Sequence, residues 1–333
     1  MKILSAEWSK NWSWGLIVSE IIKQCGYDVD RVFIPDAKPR VYDVLLSQQV
    51  TLFKRWLTPN EKVITRLGGN MTFGEIESSA AKFYLEKMSK CFAVIATNKF
   101  LYDVSKKVNH RTYLIPNGIN LDEWKPQKNR EENKSLVVGF VGNINQPAYR
   151  KYKGYDMAKN VCSGISGVTF RHALFGEKQI PHDKMKDEFY YRIDVLLHPT
   201  AGEGCSNTLM EACACGVPII TTRAAGFHGE LMKNRENVLF CERNENSIAE
   251  CLKYILENRD ALNRLSTGAR TFAEKHHDII SIASQYKEVF EECHGFNEQN
   301  KLAEKPGGLA QINEKLDRIL TILKNKKRKA VKR

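Results

Sequence analysis

The chain has 333 residues, 42% of them hydrophobic and 27% charged, which is room for two domains with well-formed cores. No apolar run approaches the roughly 18 residues that a membrane-crossing helix needs, and the N-terminal MKILSAEWSKNWSWG is cut by charges too early for a signal-peptide core. The formal net charge is +12, but Lys324 to Arg333 hold seven basic residues and no acid, so the rest carries +5 (12 − 7) and most of the basicity is that of a tail. Nine cysteines are scattered without paired metal spacing. Cys213 and Cys215 are two apart, and the nearest histidines complete no recognisable zinc pattern. Reduced, mostly buried thiols in a cytosolic protein are expected.

In chain order, Lys2-Ile3-Leu4 predicts a first strand, and Leu16, Ile17, Ile21 and Ile22 give Trp14 to Gln24 helical spacing. Val32 to Ile34, Val44 to Leu46, Val63 to Thr65 and Phe92 to Ile95 predict further strands, with helices over Phe73 to Lys90 and Asn98 to Lys107. The alternation is that of a Rossmann-like domain of parallel strands. No G-x-G-x-x-G follows the first strand, so the dinucleotide fingerprint is absent. Asp28-Val29-Asp30 has Asp-x-Asp spacing but reads as a polar turn before a strand.

Lys125 to Ser135 is polar, without an apolar face, and reads as an interdomain linker. Leu136 to Val141 opens a second Rossmann-like domain and ends in Gly142-Asn143. The segment from Ile144 to Lys153 reads as a basic loop with Arg150, Lys151 and Lys153, and Lys153-Gly154 precedes a helix. Val168 to Phe175 is a strand, Asp183 to Arg192 has helical spacing, and helices over Ser247 to Asn258 and Asp260 to Lys275 complete the domain. A further helix is expected from Ile279 to Cys293.

Within that domain, Asp194 to Thr221, DVLLHPTAGEGCSNTLMEACACGVPIIT, reads strand, Gly-rich loop, helix, strand. Ser206-Asn207 occupy the N-cap position, the helix ends at Gly216, and Val217 to Ile220 form the next apolar run. Ligands of open α/β sheets bind outside the carboxyl ends of the strands, where this loop lies. Backbone N–H groups after Gly204 make a seat for a phosphate, and Glu203 and Glu211 flank it. Taken alone, the two acids read more readily as a solvated loop residue and a helix-surface residue than as a ligand site.

The stretch resembles the donor segment of the retaining GT-B glycosyltransferases of family 4, which read E-G-x-x-N-x-x-x-E-A-x-A-C-G-x-P-V-I. The matching residues are Glu203-Gly204-Cys205-Ser206-Asn207, Glu211-Ala212 and Ala214-Cys215-Gly216-Val217-Pro218-Ile219-Ile220. Ile115-Pro116-Asn117-Gly118-Ile119-Asn120 resembles the segment that closes the first domain of that family, and Arg223 to Phe227 with Glu230-Leu231 resembles its phosphate- or ribose-capping loop. The resemblance implies an α/β GT-B fold, two Rossmann-like domains facing across a cleft, plus a C-terminal helical tail. The expected boundaries are 1–124 for the acceptor domain, 125–135 for the linker and 136–277 for the nucleotide-sugar donor domain. A returning helix over 278–294 and a spacer, helix and basic tail over 295–333 would follow.

The same resemblance implies transfer of a sugar from a UDP- or GDP-sugar with retained configuration and with no metal on the diphosphate. Glu203 would address the hydroxyls of the transferred sugar and stabilise charge at the reacting carbon, Lys153 would hold the phosphates, and Glu211 would bond the ribose. Donor contacts are also expected from Gly142, Gly204, Cys205, Ser206, Asn207 and backbone near Gly15. Of the family's Gly-Arg pair only the glycine is kept, since Asn143 stands in the arginine position; Arg150 is expected to supply the charge from the loop. Gly176 and Lys178 lie where the base is often contacted. Ile64 to Asn70 holds no histidine, so no acceptor-side catalytic residue is carried over from the resemblance, and Arg66 and Asn70 are expected only to face the cleft.

Beyond Gly295, Leu309, Ile312, Leu316, Ile319, Leu320 and Leu323 form one apolar stripe at helical spacing. It suits self-association or docking, a short coiled coil or an in-plane membrane helix, and Glu314 and Asp317 among the basic residues favour the first. The 324–333 tail suits an anionic membrane surface or nucleic acid. The expected acceptor is a cell-envelope saccharide or a lipid-linked acceptor, with the protein cytoplasmic or peripheral at the membrane. A modified base in DNA is the alternative acceptor, and an inactive GT-B-like scaffold is the rival that an intact Glu203, Glu211 and Lys153 set oppose.

Overall fold

The computed structural model describes residues 1–7, 13–33, 42–47, 63–69, 78–127, 135–175, 177 and 179–295. It divides into two compact units, one drawn from Met1–Pro116 and Ile280–Arg333, the other spanning Asn117–Ile279. The 309–323 helix, the 324–333 tail, Asn70, Gly176 and Lys178 lie outside the described residues.

The first unit holds a parallel sheet of β1 (Lys2–Glu7), β2 (Asp28–Phe33), β3 (Val44–Ser47), β4 (Val63–Leu67), β5 (Ala93–Ala96) and β6 (Thr112–Leu114), in the order β2-β1-β3-β4-β5-β6. Every residue of β3, β4 and β5 is buried. A strand covered on both faces has no reason to alternate, and hence Val44 to Leu46, Val63-Ile64 and Ala93 to Ala96 read as unbroken apolar runs. Helices α1 (Ser13–Gln24), α2 (Ser78–Lys90) and α3 (Lys99–Lys106) follow their strands. The Asn98 side chain caps α3 by accepting from Leu101 N at 2.8 Å.

The second unit repeats the plan with β7 (Leu136–Asn143), β8 (Val168–Phe175), β9 (Val195–His198), β10 (Ile219–Thr221) and β11 (Leu239–Phe240), all parallel, in the order β11-β10-β9-β7-β8. Counted from its own first strand, each sheet runs 2-1-3-4-5, and the first adds a sixth strand. That doubly wound order reverses direction between the first and third strands, so the second unit's switch point lies between β7 and β9. Its core is built from Leu136, Val138, Phe140, Val195, Leu197 and Ile220 against Ile248, Leu252 and Leu265. The last three come from α9 (Glu245–Glu257) and α10 (Asp260–His276).

The chain's final described helix, α11 (Ile279–Gly295), packs within the first unit. The Cys25 thiol donates to Ala283 O at 3.2 Å, Arg66 Nε donates to the Tyr286 hydroxyl at 3.0 Å, and Arg111 pairs with Glu292 at 3.0 Å.

Several local expectations need correcting. Asp28 to Asp30 is strand, not turn: Asp30 sits on edge strand β2, where it accepts from Lys2 at 3.0 Å and from the Tyr42 hydroxyl at 2.8 Å. The Ile144 to Lys153 segment is not all loop, because Pro147–Lys153 forms α4, with proline at the start where its missing N–H costs nothing. Asp183 to Arg192 is a broken turn, with 3-10 segments at His182–Lys184 and Tyr190–Arg192 around a single α turn, Met185–Glu188.

Candidate functional site

The site grows from the carboxyl ends of β7 and β9. Lys153 is the last residue of α4, and Gly154 closes that helix in the left-handed region at φ 75°. A Cβ on Gly154 would lie 2.6 Å from the Pro199 carbonyl oxygen, so only glycine lets the end of α4 press this closely on the end of β9. The contact is sewn by Ala201 N donating to Tyr152 O at 2.9 Å. Arg243 adds bonds to the Lys151 carbonyl and, at 3.2 Å, to that of Pro199.

This seam fixes Lys153 against Glu203. The ammonium pairs with Glu203 Oε1, and the same oxygen accepts from His198 Nε2 at 3.0 Å. Burial alone would raise the Glu203 carboxyl, but the Lys153 ammonium and the His198 bond outweigh it and bring it down to about 2. Burial pushes His198 below its ordinary value despite the acid beside it. With a neutral ring whose Nε2 faces a carboxylate, the proton belongs on Nε2. Glu203 is therefore a carboxylate at neutral pH, held by the Lys153 cation and by two neutral donors, His198 Nε2 and, at 3.4 Å, the Thr200 hydroxyl.

The loop then enters α7 (Asn207–Ala214). Ser206 is its N-cap, extended at φ −71° and ψ 121°, with its hydroxyl accepting from Leu209 N. Asn117 pins this entrance: its amide donates to Cys205 O at 2.9 Å and to Asn207 Oδ1 at 2.5 Å. That is why the segment expected to close the first domain is shared between the units, with Asn117 in the second. Gly204 O accepts from Phe227 N at 2.8 Å, at the start of the short helix α8 (Phe227–Leu231).

Glu211 lies inside α7 and is only 4% exposed, so it is not a helix-surface acid. It accepts from the Tyr190 hydroxyl at 2.7 Å and faces His182 Nε2 at 3.1 Å. The bond to Glu211 raises the His182 pKa, against the opposing pull of burial. Trp124 packs on both rings, 5.4 Å from His182 and 5.9 Å from Tyr190. A part-exposed imidazole, a buried acidic side chain and an indole ring thus sit together.

Of the sequence candidates, Glu203, Gly204, Cys205, Ser206, Asn207 and Glu211 fall along one loop and helix, and Lys153 meets them from the end of α4. Gly142 adjoins them, since a Cβ there would lie 3.8 Å from Lys153 Cγ. Asn143 accepts from Asn145 N at 3.0 Å, an Asx turn at the end of β7. Arg150 is engaged elsewhere, its guanidinium on Asp156 at 2.8 and 2.9 Å and over the Tyr155 ring. Gly15 belongs to α1 of the first unit, where its carbonyl accepts from the Ser19 hydroxyl at 2.7 Å. Arg66 is buried in β4, also in the first unit. Sequence reasoning missed His198, His182, Tyr190 and Arg243. His198 alone carried a signal, as a polar residue closing an apolar strand.

A second polar group lies under the loop. Cys205, His228 and His277 are all buried, and one ligand atom from each falls within 4.8 Å of the others. Burial, with the neighbouring ring's charge second, drives His228 well below its ordinary pKa, and burial brings His277 down to about 4. Both rings are neutral at neutral pH.

Residues 171–272 match the model of the family described as glycosyl transferases group 1. A protein of Methanocaldococcus jannaschii named as an uncharacterized glycosyltransferase, MJ1178, is 23% identical over 222 residues, 59% of each chain. The GPI3 subunit of a yeast phosphatidylinositol N-acetylglucosaminyltransferase is 21% identical over 211 residues, 53% of this chain and 44% of its own. The chain thus spans about half the length of the curated relatives it matches. Among solved structures, Anabaena Alr3699/HepE in complex with UDP-glucose superposes with a TM-score of 0.72 at 15% identity, covering 88% of this chain and 100% of that one. Sucrose-phosphate synthase of Thermosynechococcus elongatus gives 0.72 at 14% identity, over 88% and 98%.

The fold is GT-B. In GT-B terms the β7–β9 switch point, with Lys153 and Glu203 at its mouth, belongs to the unit that carries the family match.

Proposed function

We propose that the protein is a retaining, metal-independent glycosyltransferase that takes a UDP- or GDP-sugar as donor and a cell-envelope saccharide or a lipid-linked acceptor. The observation that carries this reading is the Lys153–Glu203–His198 group at the switch point, one loop ahead of the α7 N-terminus. A diphosphate would take the Lys153 ammonium and the N–H groups at the start of α7, which offset its charge and the charge that grows as the sugar departs. Glu203, ionised to about pH 2, is unsuited to donate a proton. It instead accepts from sugar hydroxyls and faces the positive charge that develops at the anomeric carbon when the bond to the diphosphate breaks. Glu211 accepts from the ribose, with Trp124 and His182 beside it, and the first unit recognises the acceptor. The name of the yeast relative, a phosphatidylinositol N-acetylglucosaminyltransferase, supports a lipid-linked acceptor.

The direct test is a thermal-shift screen over UDP, GDP, ADP and their sugars, followed by release of nucleoside diphosphate with and without lipid-linked acceptors. A nucleotide at about 100 times its Kd should stabilise the fold by about 2.7 kcal/mol. No shift with any nucleotide at millimolar concentration, and no turnover, would reject the reading. Retention is read from the anomeric configuration of the product by NMR.

A further inference from the structure

The side chains of Cys205, His228 and His277 have no part in the donor chemistry proposed above. It joins three segments far apart in sequence: the loop before α7, the first turn of α8, and the residue just after α10. All three side chains are sealed from solvent.

The hydrogen-bond pattern constrains the protons. His277 Nδ1 lies 2.7 Å from the Asn117 carbonyl oxygen. A carbonyl only accepts, so the ring proton is on Nδ1 and the His277 Nε2 carries a lone pair. That lone pair points at His228 Nε2, 3.2 Å away, with the two rings stacked at 29°. If His228 carries its proton on Nε2, its bare Nδ1 is a buried acceptor without a hydrogen-bond partner among the described residues. If the proton is on Nδ1, a buried donor is unsatisfied and two lone pairs meet head-on. Either tautomer leaves a cost of about 1–3 kcal/mol.

We infer that Cys205, His228 and His277 form a binding site for a single zinc-class divalent ion, which staples the donor loop to α8 and to the end of α10. A cation set to one side of the line joining the two Nε2 atoms turns the opposed lone pairs into two bonds. Zinc binds imidazole at about 2.0–2.1 Å in tetrahedral geometry, which separates two ligating nitrogens by about 3.3–3.4 Å; the two Nε2 atoms already stand 3.2 Å apart. Thiolate and imidazole are the ligand types that borderline-soft ions select. The Asn117 carbonyl on His277 Nδ1 is the partner that ligating histidines need to fix the ring and its tautomer. Three protein ligands leave a fourth position for water. Binding releases the Cys205 thiol proton to solvent, so affinity rises with pH.

The test uses the full-length protein, stripped with chelator and then given one equivalent of Co2+ or Zn2+. The expected result is a stoichiometric ion retained through gel filtration, a thiolate-to-cobalt charge-transfer band in the near ultraviolet, and visible bands of four-coordinate intensity. Zn2+ should displace the cobalt and raise Tm. Cys205→Ser should lose the near-ultraviolet band, whereas Cys213→Ser, whose thiol is also buried close by, should keep it. His277→Gln should lower retention at least tenfold. An aquo-ion spectrum with wild-type protein would overturn the inference, as would an unchanged band in Cys205→Ser. The wild-type spectrum decides even where a variant folds poorly, and neither result depends on the glycosyltransferase reading.

Discussion

Replacing Lys153 with methionine keeps most of the side chain's bulk and removes the charge beside Glu203. A carboxyl held at about 2 in the folded chain against an ordinary 4.5 corresponds to about 3 kcal/mol of stability. Because the folded value is depressed, this contribution is present in full above pH 4.5 and is lost as pH falls towards 2. The side chains of Lys153 and Glu203 are 22% and 14% exposed, so solvent screens the pair only weakly. Lys153→Met removes one of the two partners that hold the carboxyl down, with His198 left in place, and should cost on the order of 3 kcal/mol near neutral pH, as breaking a buried pair does. The gap should close as the acid protonates in both proteins. Urea unfolding of both proteins at a series of pH values from neutral to about 3 measures this, and Lys153→Met/Glu203→Gln supplies the double-mutant cycle. Equal midpoints at neutral pH, or a gap that does not change with pH, would refute the ionised-pair account.

The remaining predictions concern the loop, the proposed ribose contact and the first unit. Gly226→Ala places a Cβ 2.1 Å from Gly204 O and 2.4 Å from Glu203 O, at φ 59° and ψ −127°; it should cost more than about 3 kcal/mol and weaken nucleotide binding. Gly26→Ala, at φ 77° with nothing within 4 Å, should cost only about 1–2 kcal/mol and leave binding alone, so equal effects would show that the loop contact is immaterial. Glu211→Ala should lower nucleotide affinity at least tenfold by calorimetry, and unchanged affinity would move the ribose pocket elsewhere. Tyr286→Phe takes the acceptor from Arg66 Nε and should lower Tm by an amount equivalent to about 1.5–3 kcal/mol, with nucleotide affinity unchanged.

Much of the second unit was legible because its chemistry is contiguous. Glu203 to Glu211 spans one loop and a little over one helical turn, so the motif carries its own geometry. The partners that decide how those acids behave are not contiguous. His198 precedes Glu203 by five residues, but Lys153 lies fifty before it, and Tyr190 and His182 reach Glu211 from a broken turn read as a helix. Glu211 looked like a surface acid because a carboxylate inside a helix signals exposure unless a distant donor is known to meet it. Helix α4 was hidden for a different reason. None of its seven residues is buried, so no apolar stripe marks it, and only Pro147 hinted at a start. The Cys205, His228 and His277 group escaped a search for metal spacing because topology, not sequence interval, brings it together.

Gly154 closes α4 and opens α5 (Tyr155–Ser163), so one residue's backbone angles set both helices. With Ala201 bonded to Tyr152 and Arg243 clasping the same turn, the ammonium of Lys153 and the carboxylate of Glu203 ride on one stiff piece of backbone. Their opposed charges then form a dipole whose direction is set when the chain folds. A substrate arriving there would meet a field already aligned, and the small reorganisation left to the site lowers the barrier for any step that separates charge along it.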